Sequence, residues 1–544
     1  MSWDLEVDVV AVGSGLGGVC AAIAAHDAGG KVLLLEKAPK LGGVCAYSGG
    51  EVFVGCNHLM AEAGTPDDPV AARAYQDFLA GGYASKPHAD ILFEQGPVIA
   101  KWFADHAGVQ WKIIEDFPDY HDPKAPGTVA TGRYLEPQLF DGSTLGPWQK
   151  RCYSSPHMPP GITHDELFAW GGLSAMPRWD FRTMGGRVAK DIRGMGPGMM
   201  GWFLKAALVD RQIEARVSTP VTELIREGAR IVGVVAQSEG KAIRIRARRG
   251  VVIATGGYDW NQEVARSFEG LPTWNSMVQP SVSGDNLTLG ADAGAALAGV
   301  PPYNLGMFFG FKVDGEKHDG AQLWRASWEG GYPHALWVDR SGKRFADESF
   351  YRDYLPKVRA WDGVKQEHPH YPPFLIFDQQ YRDKYAFLAW MPGQPIPETL
   401  VQRGETAREL AEKLGIDADA FEATLTRFNA NAAEGVDPDF DRGTYPWAAK
   451  MTGDRAMKNP NLGTVEKAPF YGIALSPVGV GVNAVGLRWD TNAQVVSARG
   501  QPIAGLYAAG NAAALLDIGA GYQSGLSNLR GMTWGFIAGR HAMA

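Results

Sequence analysis

Cysteine is scarce in this chain. Four in 544 residues, Cys20, Cys45, Cys56 and Cys152, stand at neither CxxC nor CxxCH spacing. That excludes a cysteine-bound iron–sulfur cluster, a zinc ribbon and an attached c-type haem. The thiols read as small buried side chains, and no metal site is expected. Basic clusters are lacking too: the formal net charge is −8, so nucleic acid is not an expected partner and any attraction of substrate has to be local. No apolar run reaches the roughly 20 residues that a membrane-spanning helix needs, and no repeat or low-complexity tract appears. The first apolar strand begins by Asp8, leaving no room for a leader peptide, so a soluble, cytoplasmic protein without an integral membrane segment is expected. Two stretches superficially suggest other functions. Residues 437–443 have the acidic look of a calcium loop but no glycine at the sixth position and no closing glutamate, so they read as a solvated turn. Residues 194–204, rich in Gly and Met, read as a helix entrance under a loop rather than a membrane contact.

What the chain does have begins at Val9-Val10-Ala11-Val12-Gly13-Ser14-Gly15-Leu16-Gly17-Gly18, followed by an alanine-rich run and Lys31-Val32-Leu33-Leu34-Leu35-Glu36. Gly13 permits the tight turn after an apolar strand, Gly15 lets the backbone approach a pyrophosphate, and Gly18 lets the next helix pack closely. The phosphates then face that helix's positive N-terminus, with Ser14 in the turn. Glu36 ends the second strand, where its carboxylate can accept from adenosine ribose hydroxyls, with Lys37 beside it. Three further glycine turns follow: Leu41-Gly42-Gly43-Val44-Cys45-Ala46-Tyr47-Ser48-Gly49-Gly50, Gly250-Val251-Val252-Ile253-Ala254-Thr255-Gly256-Gly257 and Gly505-Leu506-Tyr507-Ala508-Ala509-Gly510-Asn511. A nicotinamide site needs only the first turn, whereas four suit a long dinucleotide laid across one sheet. The set resembles the FAD site of the succinate dehydrogenase and fumarate reductase flavoprotein family. The resemblance implies FAD held by Gly13, Ser14, Gly15, Gly18, Glu36, Lys37, Gly42, Gly43, Ser48, Gly49, Gly50, Thr255, Gly256, Asp285, Gly510, Asn511, Gly525 and Leu526. No histidine stands at 46–50, where covalently flavinylated relatives place one, so the FAD is expected to be non-covalent.

The expected fold class is α/β with an α+β cap: a Rossmann-like FAD-binding domain from residues 1–300 and 470–544, with a smaller substrate-capping domain at 301–469 inserted into it. Strands are expected across 214–257 with a turn at 226–229, and a helix from Asp285 in the segment that lies near the flavin domain in this family. In the cap, strands are expected around 334–340 and amphipathic helices at 406–414 and 418–433. A cleft between cap and flavin would hold substrate, with Trp111, Trp328, Trp337 and Trp390 in segments that could border it.

The chemistry separates two branches of the family. The cap stretch Asp339-Arg340-Ser341-Gly342-Lys343-Arg344-Phe345 and the turn to Arg352 resemble the segment that delivers a proton-donating arginine in fumarate reductases. Those enzymes also clamp a substrate carboxylate with a second arginine near the C-terminus. Here that run reads Gly521-Tyr522-Gln523-Ser524-Gly525-Leu526, with Tyr522 in the arginine's place, and only a guanidinium supplies the fork that fits a carboxylate. The Gly-Tyr-x-Ser-Gly turn, together with Phe117-Pro118-Asp119-Tyr120 and Leu135-Glu136-Pro137 ahead of Phe140-Asp141-Gly142, is similar to the 3-ketosteroid dehydrogenases and their relatives acting on smaller cyclic ketones. That resemblance implies desaturation of a cyclic ketone: an α-proton is removed, a β-hydride passes to flavin, and electrons go on to an acceptor the sequence does not name. Ketosteroid 1-dehydrogenases tend to have tyrosine where Arg352 stands, so either the adjacent Tyr351 takes that role or Tyr522 and Ser524 do. The Gly525 N–H and Tyr522 are candidates to hold the carbonyl or handle the α-proton, Ser524 to relay it, Tyr351 with Arg352 to polarise or protonate from the cap side, and Tyr120 to join them. Two other readings stay open: reduction of an activated double bond through Arg352, and a non-enzymatic flavin electron carrier.

Overall fold

A computed structural model describes residues 2–303 and 306–544. Its largest sheet is assembled from both ends of the chain, in the order Gln494–Val496, Pro502–Ala508, Lys241–Ile253, Leu5–Val12, Val32–Leu35, Glu214–Arg216. The inner strands are parallel, with Val10 opposite both Leu33 and Val251. Their aliphatic runs are buried on both faces, as parallel strands covered by helices require. The hairpin Val221–Glu227 and Arg230–Ser238 extends the first half of Lys241–Ile253. On one face the helices Leu16–Asp27 and Leu526–Met543 cross through small residues. A β-carbon at Gly535 would fall 2.3 Å from the Gly17 carbonyl oxygen, so glycine sets how closely they approach.

A second layer covers the C-terminal ends of these strands. The antiparallel sheet Ala335–Val338, Phe374–Asp378, Phe470–Ala474, Gln402–Gly404 packs its own core of Leu336, Phe374 and Ile376 against Leu410, Phe421 and Phe428. Those last three come from helices Ala407–Leu414 and Ala418–Glu434. Thr406 and Asp417 cap their N-termini, and Gly415 and Gly435 end them in the left-handed conformation, which adds local stops to the apolar spacing that predicted both helices. Another sheet pairs Met307–His318 with Ala321–Ala326 and Ser476–Gly479, and the last with Asn275–Ser276. It therefore joins strands from either side of residues 301 and 469.

Residues 437–443 do form turns, but the expectation of a solvated segment is corrected at Asp437 and at Arg442, which is fully buried and donates to the Ala335 and Tyr332 carbonyls and to Glu348. Asp437 is buried and receives two hydrogen bonds from Arg344, at 2.9 and 2.7 Å, while Arg344 also pairs with Glu348. A guanidinium this deeply enclosed needs carboxylates on more than one side. Residues 195–204 form the buried helix Met195–Leu204. Among the described residues no helix is long and apolar enough to cross a membrane, and no three metal-ligating side chains converge.

Candidate active site

The strand–turn–helix geometry opens onto a cavity of about 530 Å³. Gly13 turns with φ +103°, where a β-carbon would sit 2.3 Å from the Ala254 carbonyl oxygen. Gly15 faces open space in the cavity wall. Gly18 lies behind the wall, and a β-carbon there would meet the Gly13 carbonyl oxygen at 1.9 Å, so its work is packing. The buried Glu36 carboxylate lines the cavity and accepts from the Ser14 N–H at 2.9 Å, the Ser14 hydroxyl at 2.7 Å and the Ala38 N–H at 2.8 Å. Lys37 pairs with Asp285 at 2.8 Å, and both line the cavity.

The remaining glycine turns close the trough. Gly43, Ser48, Gly49, Thr255, Gly256, Gly510, Asn511 and Gly525 line it. Gly42, Gly50 and Leu526 stand outside the lining: Gly42 donates its N–H to Ser14 at 3.1 Å, Gly50 abuts the Met195 backbone, and Leu526 opens the C-terminal helix. The helices that begin after Gly15 and Gly525 have no side-chain cap at their N-termini, which leaves amide donors for an anion. Thr255 Oγ1 and Gln279 Oε1 are buried with no hydrogen-bond partner among the described residues, and both residues line the cavity. Open space at Gly15, two uncapped helix starts and these free polar atoms fit an extended dinucleotide.

At the far end stands a cluster of phenols. The Tyr351 hydroxyl donates to the Tyr120 hydroxyl at 2.7 Å, Tyr120 donates in turn to Ser524 Oγ, and the Ser524 N–H reaches back to Tyr120 at 3.2 Å. The Arg352 guanidinium carbon lies 4.3 Å from the Tyr351 ring centre, 5.1 Å from that of Tyr522 and 5.8 Å from that of Tyr120. One cation thus serves three electron-rich rings. Burial pushes the Tyr522 and Tyr120 phenols well above their usual range, and the Arg352 charge opposes this. Tyr120, Tyr522, Ser524 and Gly525 line the cavity, while Tyr351 and Arg352 form the layer behind.

Both arms of the cluster are braced. Gly521 presses so closely on helix Pro69–Ala80 that a β-carbon would fall 1.5 Å from the Leu79 carbonyl oxygen, and Tyr75 bonds to Gln523 in the same turn. The loop carrying Tyr120 is tied by Asp119 to Arg133 at 2.7 Å, and Arg133 is also held by Asp67. Arg133, just ahead of Leu135-Glu136-Pro137, therefore joins that segment to the Phe117–Tyr120 loop in one ion-paired unit with Asp67.

Much of the remaining wall is apolar, Phe117, Met176, Trp179, Phe308, Trp328 and Trp447 among its side chains, but charged and polar groups interrupt it. Of the four tryptophans noted in the sequence only Trp328 lines it; Trp111, Trp337 and Trp390 pack elsewhere. Arg325 is neutralised by Glu316 at 2.8 Å. His157 is bonded to the Met277 carbonyl at 2.6 Å, and burial lowers its pKa to about 4. Sequence reasoning missed this histidine, His164, Glu51 and Glu329, all in the lining. His157 and His164 sit in an aperiodic stretch with no signal. Glu51, directly after Gly49-Gly50, was within reach of a closer look at that turn.

The chain matches the family described as FAD binding domain over residues 8–528. It belongs to that family. FAD is its cofactor, and the trough from Gly13 to Gly525 is where this flavoprotein's residues fit it. Over 98% of its length it is 35% identical to 4-oxocyclohexanecarboxylate 2-dehydrogenase of Sinomonas cyclohexanicum, covering 92% of that protein. It is 32% identical to 3-oxosteroid 1-dehydrogenase of Mycolicibacterium smegmatis, over 93% of this chain and 92% of that one. Its structure matches the 3-ketosteroid delta1-dehydrogenase of Sterolibacterium denitrificans, crystallised with 1,4-androstadiene-3,17-dione, at a TM-score of 0.89, with 29% identity and 99% of each chain covered. The flavoprotein is an FAD-dependent oxidoreductase.

Proposed function

We propose that this flavoprotein desaturates a cyclic ketone beside its carbonyl to give a conjugated enone. The observation that carries the reading is the hydrogen-bonded series Tyr351–Tyr120–Ser524 meeting Tyr522 around one arginine, beside the apolar side chains Phe117, Phe308, Trp328 and Trp447 of the wall. Bound FAD supplies the acceptor for the β-hydride. The protein's own groups do the rest. Removing the α-proton leaves an enolate oxygen that needs donors fixed in place beforehand, and the Tyr522 hydroxyl and Gly525 N–H, at the wall together, are suited to that. The α-proton passes to the hydroxyl series, in which Ser524 and Tyr120 face the cavity and Tyr351 extends the path behind it. Arg352 offsets part of what burial does to Tyr120 and Tyr522, because its charge favours the phenolate form of those two rings.

The same reading treats residues 301–469 as the cap over the substrate and takes the ketone to be bordered by Trp179, Trp328 and Trp447. The electrons leave to a quinone, dye-type or protein acceptor, and the four cysteines, all free, suit a reducing cytoplasm. The test is anaerobic: adding a steroid ketone or a cyclohexanone-type ketone to the yellow holoprotein should bleach it, with enone as product. Bleaching by a reductant alone, reversed by an enone or fumarate, would instead mark a reductase.

A further inference from the structure

Glu51, His164 and Glu136 form a row that the proposed reaction has not used. Glu136 is fully buried and saturated with donors: the His164 N–H at 2.7 Å, the His164 ring Nδ1 at 3.0 Å, the Asp165 N–H at 3.3 Å and the Lys112 ammonium at 3.0 Å. So many donors hold Glu136 as a carboxylate, and it fixes the ring with Nδ1 as its anchored nitrogen. The working nitrogen, Nε2, points the other way, 3.7 Å from Glu51 Oε2. That is ion-pair range but longer than a hydrogen bond. Oε2 has no hydrogen-bond partner among the described residues although it is buried, and both Glu51 and His164 line the cavity. An orienting carboxylate, an imidazole and a second carboxylate open to the site make a proton-handling set, whereas a purely structural pair would close the gap.

We propose that the Glu51–His164 pair, oriented by Glu136, is the station that takes the α-proton on from the tyrosine hydroxyls. The inference rests on the desaturase reading. In the step, the α C–H bond breaks, its electron pair forms the enolate, and the β-hydrogen leaves with its pair to FAD. The proton travels through Ser524 and the phenols and forms an O–H bond at Glu51 Oε2, beside His164 Nε2; each hydroxyl gains one proton and gives one up, so it ends the step as it began and Glu51 carries the proton. Glu51 lines the same cavity as Tyr120, Tyr522 and Ser524, and its backbone carbonyl accepts from Asn528, three residues beyond Gly525, at 2.8 Å; its charge also pushes the Tyr522 phenol further up. The charged groups acting on the His164 ring are Glu136, Glu51 and Asp165; the last also holds Lys112 at 2.7 Å. Burial works against protonation of the ring, but Glu136 and then Glu51 outweigh it and raise its pKa.

The experiment uses the FAD-loaded enzyme with Glu51→Gln and His164→Gln. In the oxidised protein without substrate, ¹⁵N NMR of the histidine rings follows His164, assigned by its loss in His164→Gln. Glu51→Gln should lower the titration of that ring. In stopped-flow bleaching by ketone, the wild-type rate should show an ionisation that Glu51→Gln abolishes, with a loss of about a hundredfold at the low end of acid–base effects. An unmoved ring titration together with a wild-type pH profile in Glu51→Gln overturns the proposal. If no ketone bleaches the wild type, the desaturase reading fails on its own, and the NMR arm still decides whether the pair shares a proton. Should His164→Gln not fold, Glu51→Gln alone carries both measurements, with His164 assigned through its coupling to the Phe168 ring, 6.1 Å away.

Discussion

Tyr351 donates a 2.7 Å hydrogen bond to Tyr120, although 231 residues separate them in the chain. One lies on the loop after strand Trp111–Ile113 and the other at the start of helix Tyr351–Val358. The bond therefore joins the nucleotide half to the covering layer at the point where the proposed chemistry occurs. If the two phenols act as one path, removing either hydroxyl breaks it. Tyr120→Phe and Tyr351→Phe should each slow flavin reduction by ketone, and the double variant should be little worse than the slower single one. Additive losses in stopped-flow rates would show two independent roles.

FAD should be released intact by acid. No histidine stands at 46–50, His157 in the cavity wall is bonded to the Met277 carbonyl, and burial pushes the Cys45 thiol up to about 12. After precipitation with trichloroacetic acid the yellow colour should stay in the supernatant. Colour in the pellet would reveal a covalent bond.

Glu36→Ala should weaken FAD binding by about 2–4 kcal/mol, the worth of one to two charged hydrogen bonds. The structure adds a reason beyond the ribose. The carboxylate also fastens Ser14 through two hydrogen bonds, so its loss loosens the phosphate turn as well. Flavin content after extensive dialysis, followed by titration of the apoprotein, measures the change.

Stability should fall as the pH drops from about 6.5 toward 4, in part through His121. Burial, assisted by the Arg352 charge, lowers this ring from 6.5 to about 4. Below 6.5 the unfolded chain takes up a proton that the folded protein refuses, so the unfolded state is favoured increasingly until the folded ring titrates too. The sign is a loss on acidification, at most about 1.4 kcal/mol per pH unit inside that window. Urea midpoints of the wild type and His121→Gln should converge as the pH is lowered through this range. A constant gap between them would refute the assignment.

The parts of the fold that rest on local rules could be read directly from sequence. The four glycine turns announce themselves because each needs a conformation or an approach that a side chain forbids, and helices Ala407–Leu414 and Ala418–Glu434 carry capping residues at both ends. Tyr522 stood out because it occupies, within a Gly-Tyr-x-Ser-Gly turn, the place of an arginine in the fumarate reductases that this chain resembles. What escaped depends on long-range pairing. Nothing local links Tyr351 to Tyr120, and His164 lies in a stretch of short turns and helices whose pattern has no period. Likewise, strand Asn275–Ser276 meets Ser476–Gly479 across two hundred residues, a pairing that composition does not encode.

Tyr522→Phe bears on the chemistry itself. The ring would still pack under Arg352, at 5.1 Å, so folding and FAD content should be unchanged, while the lost hydroxyl removes a donor to the enolate oxygen or a step of the proton path. Such a loss costs about a hundredfold or more in the chemical step. Ser524→Ala should affect the same step less if the serine only relays, and the double variant should fall far short of additivity. Arg352→Lys provides the contrast. Arg352 lies behind the wall, stacked on phenols, so in a desaturase its replacement should slow the reaction by removing a charge that the rings share. In a reductase it would be the proton donor and indispensable, with Tyr522 a bystander. Rapid mixing with a cyclic ketone decides between them: slow bleaching in Tyr522→Phe supports desaturation, whereas wild-type rates there beside a dead Arg352→Lys would transfer the chemistry to the arginine.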